Sequence, residues 1–494
     1  MSERLLLVLD AGTTSTRAML YAPDGARIAT AQADLTQYYP QPGWVEHDAA
    51  EIWTRTLACA RQMVGRAGGA DRVAAIGIAN QRETTVAWNR RTGDPIGRAI
   101  VWQDRRTADH CAALREAGHA PLVQRRTGLV IDPYFSATKM RWMIDHRPDV
   151  AAAGDGLALG TVESWLVWKL TGGLHISDAG NASRTQLMAL DGAGWDRDLC
   201  ALFGVPQAAL PEIVDNAGDF GATLPEWLGG PIRVCGLAGD QQAATIGQGC
   251  LAPGAVKATL GTGAFVLAPV GEAAPTSAQR LLGTILYQIA GRRHYALEGS
   301  IFVAGSLIQW LRDRIGLIAA AADTDAIARS VPDNGGVFLL PALSGLGAPH
   351  WRPEATGMIV GLTHGAGRAH IVRAALESMA HQLHDLAAAF AADGAPWRSL
   401  RIDGGMSAND WIAQDVADML ELTVERPGDV ETTARGAAML AGVGAGLFPS
   451  LAAAAGMAAT GMRFAPVLAA PVRAQRLAGW RALLAQAAQG AATD

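Results

Sequence analysis

Charge is scarce in this chain: 18% of its 494 residues are Asp, Glu, Lys or Arg, against the roughly 25% usual for soluble domains. Half of the residues are apolar, so the composition excludes a disordered chain and predicts substantial buried cores. The net charge of −5 is slight and no basic block stands out, which argues against nucleic acid as a partner. Cysteine is also sparse. Cys59, Cys111, Cys200, Cys235 and Cys250 are odd in number and far apart, with no Cys-x-x-Cys, which excludes a zinc site of that kind and favours a reducing compartment. Long apolar runs are missing too. Leu5–Leu9 meets Asp10 too early for a signal-peptide core, and nothing later approaches the ~18 unbroken apolar residues of a membrane span. A soluble cytoplasmic protein without membrane insertion is expected. Gly-x-x-x-x-Gly-Lys-Ser/Thr is absent, as is Gly-x-Gly-x-x-Gly after a strand, which sets aside P-loop and dinucleotide enzymes.

What is present is a pair of similar hairpins. Leu5–Leu9 reads as a strand, Asp10–Arg17 as a tight turn, and Ala18–Tyr21 as the returning strand, with a third strand near Ala26–Ala33. Beyond the midpoint, Val256–Leu260 enters Gly261-Thr262-Gly263 and leaves through Ala264–Ala268. The length exceeds what one core serves and calls for two large domains or three smaller ones; the two hairpins, one opening each half, point to two related domains facing a cleft, 1–248 and 249–494. Apolar spacing predicts helices over 104–117, 162–170, 304–314 and 370–390, and strands over 73–79, 234–237 and 400–402. From Leu447 onward the alanine-rich tail reads as helical packing.

Glycine-threonine turns bring backbone N–H groups and hydroxyls to a bound anion. Asp10 in such a turn would repel phosphate and suits Mg²⁺, usually through water, whereas Arg17 suits phosphate oxygens. Thr262 would approach from the opposite domain, and Gly404-Gly405 followed by Asn409 would admit an adenosine against bare backbone. Each loop alone is an ordinary turn; three in order, each after a short apolar strand, describe the nucleotide clasp of the actin, hexokinase and Hsp70 ATPase fold. That is an α/β architecture of two ribonuclease H-like domains around an interdomain cleft.

The acceptor side rests on Asn80-Gln81-Arg82-Glu83-Thr84-Thr85, placed directly after the buried strand 73–79. An adjacent Arg and Glu form either a surface ion pair or a donor fork beside an acceptor, the latter suited to a small polyol. Asp240, after the strand 234–237, suits either a helix N-cap or a carboxylate that accepts an alcohol's proton.

The chain resembles the glycerol-specific branch of the FGGY carbohydrate kinase family over essentially its whole length. The resemblance is carried by PGWVEHD (42–48), NQRETT (80–85), TGLVIDPYFSATK (127–139), NASRT (181–185), GDQQAA (239–244), LGTGAF (260–265), YALEGS (295–300), GLGAPHW (345–351) and DGG (403–405). It implies ATP-dependent, Mg²⁺-assisted phosphorylation of glycerol, in a chain of a family that is often dimeric or tetrameric. It further implies that Arg82, Glu83, Tyr134, Asp240 and Gln241 bind the hydroxyls, with Trp102 and Phe265 along the carbon chain. Asp240 corresponds to the general base and Asp10 to the Mg²⁺-associated aspartate. Thr13, Thr14, Ser15, Arg17, Gly261 and Thr262 fall at phosphate positions, and Gly305, Gln309, Gly405 and Asn409 at nucleotide positions. Ala11, Ala264, His350 and His364 depart from residues common in the family. The Gly-Gly-Thr-Arg loop with which some bacterial relatives bind fructose 1,6-bisphosphate is replaced by Gly229-Gly230-Pro231-Ile232-Arg233. The competing readings are a kinase for another polyol or ketose, an actin-like or Hsp70-like nucleotide switch, and a catalytically silent paralogue used as a sensor or scaffold.

Overall fold

Two twisted sheets, one from each half of the chain, carry the architecture. The structure is a computed structural model and describes residues 4–352, 354–458 and 461–490. In the first half, β1 (Leu5–Ala11), β2 (Ser15–Tyr21) and β3 (Arg27–Asp34) form an antiparallel meander, and α1 (Ala49–Ala67) follows. The strands β4 (Val73–Asn80) and β5 (Val234–Gly239) then join parallel to β1, giving the order β5-β4-β1-β2-β3. Every residue of β4 is buried, as expected of a parallel strand covered on both faces. Asp48 caps α1 by accepting from the N–H groups of Ala50 and Glu51. The helix α2 (Val162–Thr171) packs in the same core, and α3 (Asp240–Gly247) leaves the end of β5 without a linker.

The second half repeats the opening. Strands β6 (Ala255–Leu260) and β7 (Ala264–Gly271) form a hairpin, extended by β8 (Leu282–Ile289) and β9 (Arg292–Ile301). On the other side β10 (Ser399–Asp403) runs parallel to β6 and β11 (Val424–Arg426) parallel to β10. With β12 (Met462–Phe464) at the edge, the order is β8-β9-β7-β6-β10-β11-β12. The helices are α4 (Gly305–Asp313), α5 (Arg368–Ala392), α6 (Asp410–Leu420), α7 (Thr432–Gly444) and α8 (Ala470–Gly490).

The halves interlock through α7, which belongs to the second half but packs against β4, β5 and α3 of the first. Small residues make this possible. A Cβ on Gly436 would collide with the carbonyl oxygen of Ala243, and one on Gly77 with that of Ala437. One apolar cluster, including Leu6, Val8, Ala243, Ala437 and Leu440, therefore spans both halves.

Three local expectations need correction. The helix expected over 104–117 is confined to Ala108–Glu116, because the buried Asp104 carboxylate accepts from the Val45 N–H and the Arg106 guanidinium and holds the preceding residues in turns. The Asp10–Arg17 stretch is mostly paired strand: Asp10 lies opposite Arg17, and the turn shrinks to Gly12–Thr14. The alanine-rich tail is not helical throughout, since β12 pairs with β11 before α8 begins; its residues 459–460 and 491–494 lie outside the described ones. All five cysteines are buried and unbridged, and no helix among the described residues is long and apolar enough to cross a membrane.

Candidate active site

The sharp end of β1 and the end of β4 lie side by side, and this brings the first loop to the Arg-Glu pair. Gln81 joins them: its N–H donates to the Ala11 carbonyl at 2.8 Å and its side-chain amide to the Gly12 carbonyl at 3.0 Å. Glu83 then adopts a left-handed backbone, with φ of +58°, although it is not glycine and is only 1% exposed. Such a conformation costs on the order of 1–3 kcal/mol and persists where surrounding contacts over-determine it.

Those contacts are a buried lattice of alternating charge. Arg82 reaches Glu298 at 2.5 Å, Asp240 at 3.4 Å and Glu83 at 3.8 Å, and donates to the Tyr134 hydroxyl at 3.2 Å. Arg184 closes the circuit, with Glu83 at 2.7 Å and Glu298 at 2.9 Å. Burial disfavours the Arg82 cation, but Glu298, Tyr134, Glu83 and Asp240 more than offset it and hold it charged. For Glu298 burial also opposes ionisation, and Arg184 and Arg82 reverse the sign, holding its carboxyl below the usual range.

The lattice forms the floor of one small pocket, lined by Thr13, Arg82, Glu83, Trp102, Tyr134, Asp240, Gln241 and Phe265. All seven residues expected at the acceptor meet here, drawn from both halves of the chain. Trp102 stands edge-on to Tyr134 and Phe265, with ring centroids 5.7 and 6.3 Å away, and its indole N–H donates to the Thr13 hydroxyl at 3.0 Å. Polar groups thus converge on one side and aromatic carbon on the other, the arrangement a short polyol needs.

Asp240 is not the cap of α3. That position belongs to Gly239, and Asp240 is the first helical residue, its carboxylate accepting from the Gln241 N–H at 2.7 Å. A third of its side chain remains exposed to the cleft. Burial and the Glu83 charge raise its pKa, while Arg82 and Lys257 oppose the rise.

Across the cleft, the Gly261-Thr262-Gly263 turn is stitched to the start of α4. Ala304 N and Gly305 N donate to the carbonyls of Thr262 and Gly261, each at 2.9 Å, and a Cβ on Gly305 would lie 2.6 Å from the Gly261 carbonyl oxygen. Gln309 is exposed one turn further along α4. In the third loop the close approach is made by Gly404, at φ of +85°, whereas Gly405 is exposed with open space around it. Asn409 caps α6 by accepting from Ile412 N at 3.1 Å and donates to Thr324 at 3.0 Å, so its amide is engaged within the protein.

In the first loop, Thr14 is exposed and Ser15 pairs with Asp34 on β3. Arg17 bridges Asp10 at 3.3 Å and Glu431, which precedes α7, at 2.7 Å. Burial raises the Asp10 pKa to about 6, and Asp240 and Glu431 add to the rise while Arg17 opposes it. Among the described residues no three His, Cys, Asp or Glu side chains cluster as a ready-made metal cage. The site instead offers carboxylates in excess of cations beside two phosphate-sized turns. That donor set fits magnesium, which takes one or two carboxylates and keeps its waters and substrate phosphates.

Sequence reasoning assigned no role to Glu298, Arg184, Lys257 or Glu431. Lys257 lies fully buried in β6 and donates to the Gln241 side-chain carbonyl. A lysine inside an apolar strand next to the Gly-Thr-Gly turn was the available signal; for the others the partner is more than 100 residues away.

The N-terminal domain model of the FGGY family of carbohydrate kinases matches residues 5–247, and its C-terminal domain model matches residues 256–445. The chain is 52% identical over 489 residues to a glycerol kinase of Methylobacterium nodulans, covering 97% of each, and 53% identical over 481 residues to one of Rhodospirillum rubrum, covering 96% of this chain and 97% of that one. Its fold superposes on the crystal structure of Plasmodium falciparum glycerol kinase with ADP at a TM-score of 0.93, with 33% identity and 98% of each chain covered. It also superposes on a xylulose kinase from Rhodospirillum rubrum at 0.88, with 27% identity and 98% of this chain and 99% of that one covered. Two matched domain models, near-complete coverage by relatives and a shared two-sheet fold make this chain a member of the FGGY family of carbohydrate kinases.

Proposed function

We propose that the protein transfers the γ-phosphoryl group of ATP to a terminal hydroxyl of glycerol, giving sn-glycerol 3-phosphate. The observation that carries this is the pocket itself: Arg82, Glu83, Tyr134, Asp240 and Gln241 converge on a space walled by Trp102 and Phe265, and the relatives from Methylobacterium nodulans and Rhodospirillum rubrum carry the name glycerol kinase. Its size and its pairing of acceptors with donors suit three adjacent hydroxyls on a three-carbon chain.

The roles follow from position. Asp240, partly exposed and held at the start of α3, orients the attacking hydroxyl and takes its proton late in a loose transition state. Arg82, fixed by Glu298, and Glu83, fixed by Arg184, hold the remaining hydroxyls so that the reactive one points into the cleft. The turns at Gly12–Thr14 and Gly261–Gly263, each closed internally by the N–H of its first glycine, would offer the threonine N–H groups and hydroxyls to the transferring phosphoryl from the two sides. Asp10, with hydration waters, is the residue that would hold Mg²⁺, which when bound neutralises charge on the phosphates. Arg17 stabilises that charge from beside it.

ADP release with Mg·ATP, compared across glycerol, dihydroxyacetone, erythritol, xylitol and no acceptor, tests this reading. Glycerol should dominate, and Asp240→Asn should lower turnover by roughly 10²–10⁴-fold with the fold intact. A preference for a longer acceptor would keep the mechanism and overturn the pocket assignment. Turnover indifferent to every acceptor would refute the reaction and favour a nucleotide switch.

A further inference from the structure

Away from the cleft, β10, β11 and β12 set three charged residues in one row: Arg401 pairs in register with Glu425, and Glu425 with Arg463. The row faces a cavity of about 370 Å³ that Arg426, Gln248 and Arg435 also line. Among the described residues Glu425 is the one carboxylate on this lining, shared by Arg401 at 3.0 Å and Arg463 at 2.9 Å. Arg426 is held by Asp410 at 2.8 Å and by the Ser407 carbonyl at 2.6 Å.

Arg435 is different. It is 1% exposed, its Nη2 reaches only the Asp429 carboxylate and carbonyl, each at 3.4 Å, and its Nε and Nη1 have no partner among the described residues. The buried Oε1 of Gln248 has none there either, while its amide nitrogen is committed to Asp403. A buried guanidinium with two unpartnered nitrogens, carrying three N–H groups, is costly unless something accepts from them. Water alone would satisfy the hydrogen bonds but would leave four guanidinium groups facing three carboxylates, Glu425 on the lining and Asp410 and Asp429 beside it. An oxyanion accepts from the open Arg435 N–H groups and offsets the remaining charge, with a P–OH or a water left to donate to Gln248 Oε1, and the planar fork of arginine matches phosphate geometry.

We propose that this cavity is a phosphate-binding site separate from the catalytic cleft, anchored by Arg435 and taking either free phosphate or the phosphate group of a small metabolite. Its volume lies within the roughly 300–1,000 Å³ typical of small-molecule pockets, so the occupant can extend beyond the phosphate. The position gives such binding a consequence. Arg401, Glu425 and Arg463 ride on the second sheet, whereas Arg435 lies on α7 and Gln248 just after α3, both packed against the first. An occupant spanning them favours one angle between the halves over others, and so biases closure of the cleft.

The site does not depend on which acceptor the enzyme phosphorylates, and neither does its test. Calorimetric titration of the purified protein with inorganic phosphate and, separately, glucose 6-phosphate is made at ionic strength matched with sodium chloride. Saturable binding of one anion per chain is expected, and the tighter probe identifies the source of the phosphate. Arg435→Met should weaken it by about 10-fold or more, in keeping with the loss of charge-assisted hydrogen bonds. Arg463→Gln alters a side chain that is 76% exposed, so it carries the test should Arg435→Met fail to fold, and should also weaken binding. Arg17→Met, in the cleft, should leave it unchanged. Absence of saturable binding, binding indifferent to both cavity variants, or binding abolished by Arg17→Met would each overturn the proposal.

Discussion

Asp10 carries a cost that the fold accepts for the sake of the site. Its pKa is raised from 3.8 to about 6, first by burial, so the folded state prefers the protonated acid. The stability this lends is fully present below about pH 3.8 and is lost as pH rises through about 6, which leaves the ionised carboxylate a liability at pH 7. About two pKa units correspond to ~3 kcal/mol at most. Asp10→Asn should therefore be more stable than the wild type in urea unfolding at pH 7, with the gain shrinking towards pH 4, while turnover falls. A variant less stable at pH 7 would contradict this. Glu298 is the opposite case, a carboxylate that two arginines need. Glu298→Gln leaves Arg82 and Arg184 buried with less counter-charge and should cost ~3–5 kcal/mol. It should also raise KM for the acceptor by loosening Arg82; a loss below ~1 kcal/mol in the same unfolding experiment would refute the lattice as a structural support. Arg82, Glu83, Asp240 and Gln241 were legible in the sequence because each stands inside a short motif after a buried strand, whereas Trp102, Tyr134 and Phe265 came only from the family resemblance. Glu298 and Arg184 lay within recognisable segments too, but their part is played across separations of 101 to 216 residues, which no local pattern encodes.

Elements that span the two halves depend on backbone approach. Gly436 on α7 faces the Ala243 carbonyl of α3 with no room for a methyl group. Gly436→Ala should force the helices apart, destabilising the protein by ~1–3 kcal/mol and slowing turnover, since α3 begins with Asp240. Thermal unfolding paired with kinetics would check it, and an unaltered melting temperature would show that the helices can shift without penalty. Long periodic helices such as Arg368–Ala392 were readable from apolar spacing alone. The start of Ala108–Glu116 was not, because a buried carboxylate, and not helix propensity, decides residues 104–107. Nor was β12, three residues whose strand character exists only through pairing with β11.

At the scale of the molecule, the acceptor pocket draws Phe265 from one half and Trp102, Tyr134 and Asp240 from the other, so its shape depends on how the halves meet. An open cleft would let water compete for the phosphoryl group, which predicts closure when both substrates are bound. Small-angle scattering should show a smaller radius of gyration with glycerol and a non-hydrolysable ATP analogue than without them. Identical scattering in both states would argue for a cleft already closed. The duplicated hairpins made the two-domain plan legible in the sequence, because each repeats a strand, a glycine-threonine turn and a returning strand. The interlocking of the halves was not legible, since glycines and alanines in α7 read equally well as ordinary helix filler.

Where α3 and α7 cross, main chain meets main chain, with almost no side-chain layer between. Such a joint offers little to substitute: drift can recolour the surfaces and resize the pocket, but at the crossing nearly every change adds atoms where none fit. Variation in acceptor or control is therefore channelled to the walls and the outer cavities, while the pivot itself stays fixed by the absence of matter.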